Sequence, residues 1–395
     1  MSGGGAGLKF VRGLLLLCLV LPGAASSREV PADIRPPGIA PQHQAPIALL
    51  VDLSSGQTLY DRNAGQRFLP ASMTKAMTAL VVFDLIKAGK LREDTLVTVR
   101  PETAVRWAGK GTTLNLRGGE QVRVSDLLMG TTAVSANDAS VALAEAALGS
   151  TEAFTAAMNA RAKALGMGSS HFGTPSGFPD RGVTVVRAAD MVLLAEALVT
   201  EHPELYRRYI GKQAMDWRGA RLTSHDPFAG VLAGADGIKT GHTFEAGFNF
   251  LGTASRNGRR LVVVIGRSPT DPGRAAAATN LIEWGFSAFE SKPLLTPGWI
   301  VGAIKVQDGD AREVPVSVPR ADSVATIKGI PARITARIVY DGPVRAPITK
   351  GATVGRLVVS GTGLPEHAIP LVTTAAVGKA GPIDRLVNAL LGLLA

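Results

Sequence analysis

Ser72 and Lys75 stand three residues apart at the head of the apolar run LPASMTKAMTALVV, residues 69 to 82. A serine hydroxyl with an amine one helical turn away on the same face is the minimum equipment for nucleophilic acyl transfer, a nucleophile and a base to take its proton. The same spacing also suits an ordinary helix start. Serine is common at helix N-termini, and Met73, Met77, Leu80 and Val81 describe a buried face. Ser-x-x-Lys is too short to decide between the two. Two more short motifs follow in order: Ser135-Ala136-Asn137, 63 residues after Ser72, and Lys239-Thr240-Gly241, 104 residues after Ser135. Each alone reads as a helix cap or as a strand running into a turn, but the ordered set of three is not readily produced by chance.

The elements that must carry these residues are visible as patterns. APIALLVDLSSGQTLYDRNAGQRFLPAS gives two strands around a Ser-Gly turn that feed the Ser72 helix. Helical periodicity covers Ser125 to Leu148, with the second motif between helical segments, then Thr151 to Leu165 and Ala188 to Thr200. Strand patterns return at Ile238 to Thr243, at GFNFLGTASRNG and at RRLVVVIGRS, the last two joined by an Asn-Gly turn signal. A last helix covers Arg274 to Phe289. Strands flanking a central helical block predict an α/β sandwich with the first and last helices against one sheet. After Pro297 short alternating runs separated by Gly, Pro and Asp predict a small all-β domain, a β-sandwich over 297–375.

Composition bounds what these elements serve. With 395 residues, 46% hydrophobic and 19% charged, the chain can bury two substantial cores. The formal charge of +10 is scattered, with no basic stripe interleaved with aromatics, so nucleic acid is not the expected partner. Lys9 and Arg12 before the apolar stretch Leu14 to Leu21, then the small residues around Ala24, Ala25 and Ser26, predict a signal peptide over 1–26 and an exported protein. A Pro-rich linker follows over 27–42. Cys18 is the only cysteine and falls inside the signal, so neither a thiol nucleophile nor a thiolate metal site is expected. The six histidines show no ligand spacing, and neither a metal nor a cofactor is expected.

With the three motifs in this order, the chain resembles the low-molecular-mass penicillin-binding proteins, specifically the D-alanyl-D-alanine carboxypeptidases. LPASMTKAMTALVVFD is similar to the family's nucleophile helix and GTTAVSANDASVALAE to its second motif. GADGIKTGHTFEAGFNFLGTASRNGRRLVVVIG resembles its third motif with the following strands, and HFGTPSGFPDRGVTVVRAADM its loop beneath the active site. VRAPITKGATVGRLVV resembles its C-terminal β domain. The resemblance implies a β-lactamase/transpeptidase-like serine peptidase domain over 43–290 and covers about residues 40 to 395. It implies removal of the terminal D-alanine from peptidoglycan pentapeptides through an acyl-enzyme on Ser72, with β-lactams as covalent inhibitors.

In that chemistry Lys75 is the base, and it must lose its proton first; burial and the positive charge of Lys239 both push its pKa down. Ser135 passes the proton to the leaving amine and Asn137 holds a substrate amide. Lys239 and Thr240 grip the terminal carboxylate, Gly241 permits close approach, and the main chain of His242 supplies an oxyanion N–H beside that of Ser72. One departure stands out. Where the family carries an Arg-Asn pair, this chain has Thr223-Ser224-His225-Asp226-Pro227-Phe228, which leaves Arg221 as the candidate carboxylate-binding replacement. A class A β-lactamase shares the three motifs, but the loop HFGTPSGFPDRG has no central Glu for rapid deacylation and the added β domain also argues against it. A catalytically silent wall-binding scaffold is expected to lose one of Ser72, Lys75 and Lys239.

The last residues, GPIDRLVNALLGLLA, place Ile383, Leu386, Val387, Leu390, Leu391 and Leu394 on one helical stripe. This predicts an amphipathic helix over 382–395 lying on the outer face of the cytoplasmic membrane, too short to cross it.

Overall fold

The computed structural model describes residues 45–319, 322–329, 334–361 and 364–382. The expected signal peptide and linker, and the expected C-terminal helix beyond Pro382, lie outside the described residues.

Strands β1 (Ile47–Asp52) and β2 (Gln57–Arg62) form the expected opening hairpin. A 3-10 turn, Ala71–Thr74, then leads directly into α1 (Lys75–Lys87). The helical block comprises α2 (Pro101–Trp107), α3 (Val124–Thr132), α4 (Asn137–Leu148), α5 (Thr151–Ala164), α6 (Ala188–Glu201) and α7 (Pro203–Tyr209). Three small ribbons brace it. They pair β3 (Arg67–Phe68) with β6 (Val186–Arg187), β4 (Leu96–Thr98) with β5 (Gln121–Arg123), and β7 (Ala214–Trp217) with β8 (Ala220–Thr223). The chain then returns to the main sheet as β9 (Ala235–Thr243), β10 (Gly247–Arg256) and β11 (Arg259–Ser268), and α8 (Asp271–Ala288) closes the domain.

The main sheet is antiparallel in the order β2-β1-β11-β10-β9. Its β10–β11 hairpin turns on Asn257 and Gly258, both at positive φ, which is the conformation an Asn-Gly turn supplies. Every residue of β1 is buried, because both faces of the sheet are covered. Ile47, Leu49, Val51, Val262 and Val264 share a core with Met77 and Leu80 of α1 and Leu194 and Leu198 of α6. The alternate residues Leu50 and Leu261 face α8, where they close around Gly285. The first and last helices therefore sit on opposite faces. Each buried Leu or Val contributes about 1.5–3 kcal/mol before ordering costs.

β9 ends the sheet, and its unpaired edge faces the 3-10 turn that carries Ser72. A side-chain carbon on Gly241 would stand 2.2 Å from the Pro70 carbonyl oxygen and 3.2 Å from the Ser72 nitrogen, so only glycine lets the two backbones meet.

The second domain is all β, as expected. β12 (Phe289–Leu295) pairs with β15 (Asp322–Ile327). A six-stranded sheet runs in the order β16 (Ile334–Val339), β18 (Thr353–Gly361), β19 (Leu364–Thr373), β14 (Glu313–Ser317), β13 (Ile300–Gln307), β17 (Val344–Arg345). β12 already belongs to this domain although it precedes the change of texture at Pro297. At the junction the buried Arg259 pairs with the buried Asp52 at 2.5 Å and donates to the carbonyls of Gly285 and Phe289. The Ala325 N–H donates to the Gln57 side-chain oxygen at 2.5 Å.

Candidate active site

Lys75 is fully buried, and three oxygens surround its Nζ. Ser72 Oγ lies at 2.9 Å, Asn137 Oδ1 at 2.7 Å and the carbonyl oxygen of Ser176 at 2.7 Å. A neutral amine has two N–H donors and one lone pair. Two of the three neighbours can only accept, so a neutral Lys75 donates to Asn137 and Ser176 and turns its lone pair to the Ser72 hydroxyl. Burial, with the positive charge of Lys239 behind it, holds the Lys75 pKa well below the usual lysine range, against an opposing pull from Asp138. The arrangement holds a serine hydroxyl beside a buried amine whose proton is weakly held.

The backbone around this pair is locked from three sides. Ala71 is held at φ +50, one residue before Ser72. Behind it, a side-chain carbon on Gly177 would stand 1.9 Å from the Ala71 carbonyl oxygen, and the Thr78 hydroxyl donates to the Pro175 carbonyl at 2.6 Å. The 174–178 loop is thereby pressed along the first turns of α1, which places the Ser176 carbonyl at Lys75. The third side is the break between α3 and α4. Ser135 occupies it at φ +69, buried, with its hydroxyl not hydrogen-bonded to any other described residue. Asn137 follows at the first turn of α4, where its Nδ2 donates to the Lys110 carbonyl at 2.9 Å. Both ends of the Asn137 amide are thus engaged within the protein, one of them on Lys75.

The opposite wall is β9. Lys239 and Thr240 are buried, and Lys239 Nζ donates to the Thr240 carbonyl at 3.1 Å. Burial pushes the Lys239 pKa down to about 7, with Asp226 holding it up and Arg274 pushing it further down. Thr132, Lys212, Ser224, Asp226, Lys239 and Thr240 line a small cavity at this end of the strand. The His242 ring stacks on Phe248 of the neighbouring strand at 3.9 Å between centroids.

Arg221 does not join this group. It lies on the exposed β7–β8 hairpin, pairs with Asp216 at 3.5 Å across the ribbon, and is not among the residues lining the cavity. The register of the ribbon explains this, because Asp216 and Arg221 are directly opposed and claim each other in solvent. Lys212 and Lys239 are the cations that line the cavity; Arg274, buried in the first turn of α8 with its Nε unpartnered, does not line it but lies close enough for its charge to act on Lys239 and Asp226. It reaches the His225 carbonyl at 3.4 Å and Asp271 at 2.8 Å. Asp226, whose carboxyl is pushed up by burial, sits in the field of both Lys239 and Arg274. Sequence reading missed Ser176, Arg274 and Asp226. Only Asp226 carried a signal, being part of the segment that departs from the family pattern.

One group of candidate metal ligands occurs among the described residues, Asp84, Glu201 and His202. Arg161 already bridges its two carboxylates, at 2.9 Å to Asp84 and in contact with Glu201. The cluster sits at the far end of α1 from Ser72.

Residues 35–269 match the family described as D-alanyl-D-alanine carboxypeptidase, peptidase S11, and residues 289–379 match the C-terminal domain of penicillin-binding protein 5. The chain is 32% identical over 383 residues to D-alanyl-D-alanine carboxypeptidase DacA of Escherichia coli K12, covering 94% of this chain and 93% of that protein. It is 30% identical over 352 residues to DacF of Bacillus subtilis, covering 87% and 88%. Among solved structures it superposes on penicillin binding protein 5 from Haemophilus influenzae with a TM-score of 0.75 at 30% identity, over 87% of this chain and all of that one. The ampicillin-bound penicillin-binding protein D2 of Listeria monocytogenes gives a TM-score of 0.57 at 31% identity, over 64% of this chain and all of that one.

Proposed function

Because the chain belongs to the D-alanyl-D-alanine carboxypeptidase family, peptidase S11, and is a serine-type D-Ala-D-Ala carboxypeptidase acting on peptidoglycan, we propose the following roles for its own residues. Ser72 Oγ attacks the carbonyl carbon of the penultimate D-alanine while its proton passes to the neutral Lys75 Nζ. The backbone N–H groups of Ser72 and His242 hold the oxyanion. Collapse of the tetrahedral intermediate breaks the peptide C–N bond, and the departing amine takes a proton from Lys75 through the Ser135 hydroxyl. Water then cleaves the Ser72 ester, with Lys75 again accepting the proton. Lys239, Thr240 and Arg274 receive the terminal carboxylate, Arg274 in the place that Arg221 was expected to fill. Asn137 orients Lys75, and Gly241 lets β9 approach Ser72.

The observation that carries this reading is the triple coordination of the buried Lys75, which leaves its lone pair no partner but Ser72. Mass spectrometry of a defined pentapeptide muropeptide should show loss of one terminal alanine, abolished in Ser72→Ala. β-Lactams, which occupy the related Listeria protein, should label Ser72 as a long-lived adduct. The only acid in the 171–182 loop, Asp180, is engaged by the Thr184 hydroxyl at 2.5 Å and by the Thr184 N–H, so no free carboxylate there activates a deacylating water. Rapid penicillin turnover without an adduct would favour a β-lactamase instead.

Export by residues 1–26 and attachment of 382–395 to the outer face of the cytoplasmic membrane complete the proposal. No helix among the described residues is long and apolar enough to cross a membrane. Deleting 382–395 should release active protein from the membrane fraction; a full-length protein found wholly in the soluble fraction overturns the attachment.

A further inference from the structure

Ser72 meets β9 at Gly241, and the cationic cavity lies two residues earlier, at Lys239 and Thr240. A substrate with its carboxylate in that cavity and its scissile carbonyl at Ser72 must send its acyl portion onward along the strand, past His242. Three residues beyond Gly241, at about 3.3 Å per residue, the strand ends roughly 10 Å away in the turn Phe244–Ala246. Phe244 is fully exposed there. Glu245 beside it is exposed too, and its carboxylate pairs with no cation among the described residues.

This turn is not a loose tip. The Ala246 N–H donates to the Thr243 hydroxyl at 3.0 Å, Ala246 is buried, and Gly247 takes φ +68 against the Ser268 carbonyl. With both ends pinned, Phe244 and Glu245 are held outward. A single exposed phenylalanine needs no explanation by itself. An aromatic face and an unpaired carboxylate on adjacent residues, at the acyl end of a built active site, make a receptor for an ammonium group.

We propose that Phe244 and Glu245 receive a side-chain ammonium on the residue that precedes the D-alanyl-D-alanine pair, so that the enzyme favours stem peptides whose third residue is a diamino acid with a free amine. This rests on the active-site assignment above and gives it a substrate preference. An already acylated amine, as in a cross-linked stem, has no charge to offer and binds less well.

The test compares release of D-alanine from acetyl-L-Lys-D-Ala-D-Ala with that from its Nε-acetyl analogue. The wild-type enzyme should prefer the free amine by about threefold or more in kcat/KM at low ionic strength, with salt reducing the preference. Phe244→Ala and Glu245→Gln should each bring the ratio down toward one, and Phe244→Trp should retain it. Labelling of Ser72 by benzylpenicillin in every variant checks that the nucleophile is intact. Equal use of the two peptides by the wild type, or a ratio unchanged in both variants, overturns the preference alone. No D-alanine released from either peptide overturns the active-site assignment and this inference with it.

Discussion

Lys75 Nζ and Asn137 Oδ1 lie 2.7 Å apart across 62 residues of sequence, and this contact fixes which way the lysine lone pair points. An amide oxygen accepts from a neutral amine without demanding a charge. A carboxylate in its place would hold Lys75 as ammonium and raise its pKa. Asn137→Asp should therefore slow penicillin acylation at neutral pH, with activity returning as pH rises. Lys75→Arg, which cannot deprotonate, should not recover at any pH. A pH profile of acylation identical to wild type in Asn137→Asp would remove Asn137 from the control of the base.

The two lysines set opposite limbs of the pH dependence. In the proposed mechanism Lys75 is needed as the free amine, so acylation should fall as pH drops through its depressed pKa. In the same proposal Lys239 is needed as the ammonium, and with its pKa at about 7 its charge is lost as pH rises through that value. For the free enzyme, kcat/KM toward a carboxylate-terminated peptide should decline above pH about 7, with the loss appearing in KM. Lys239→Arg keeps its charge, and although absolute activity falls, its alkaline limb should flatten. Persistence of the same limb in that variant would assign it to another group.

Much of this site was legible because its first parts are local. Ser72 and Lys75 meet through helical spacing alone, and the Asn257-Gly258 turn announces the strands that follow. Both domains were readable for the same reason, as alternating or helical periodicity over single segments. The rest depends on contacts that residue types do not announce. The Ser176 carbonyl reaches Lys75 across 101 residues and is a backbone atom, so any residue at 176 could in principle present it. Closeness in sequence points to Arg221 and nothing in sequence points to Arg274; only the fold shows the first paired in solvent and the second buried in the field of Lys239 and Asp226.

The exchange of arginines gives a direct comparison. Arg274 has an unpartnered buried Nε and lies in the field of Lys239 and Asp226. If it grips the terminal carboxylate, Arg274→Gln loses a charge-assisted bond of about 1.5–3 kcal/mol, or roughly 10- to 150-fold in kcat/KM for peptide. Arg221→Ala removes only an exposed pair and should stay within about twofold. Parallel losses in both variants would return Arg221 to the site. Circular dichroism of Arg274→Gln separates lost binding from lost folding.

Ser135 combines a strained backbone with a free hydroxyl, and two substitutions pull these apart. At φ +69 a non-glycine residue pays about 1–2 kcal/mol relative to the right-handed region. Ser135→Ala keeps that strain and deletes the hydroxyl. Ser135→Gly deletes the hydroxyl and relieves the strain, although the greater freedom of unfolded glycine offsets roughly 0.5–1 kcal/mol of the gain. The glycine variant should therefore be at least as stable as the alanine variant in thermal unfolding, by up to about 1 kcal/mol. If the hydroxyl carries the proton to the departing amine, both variants should lose about 100-fold or more in D-alanine release despite their different stabilities. Should Ser135→Gly turn over peptide at the wild-type rate, the hydroxyl has no part in proton transfer, and the left-handed residue serves only to end α3 and aim Asn137 at Lys75.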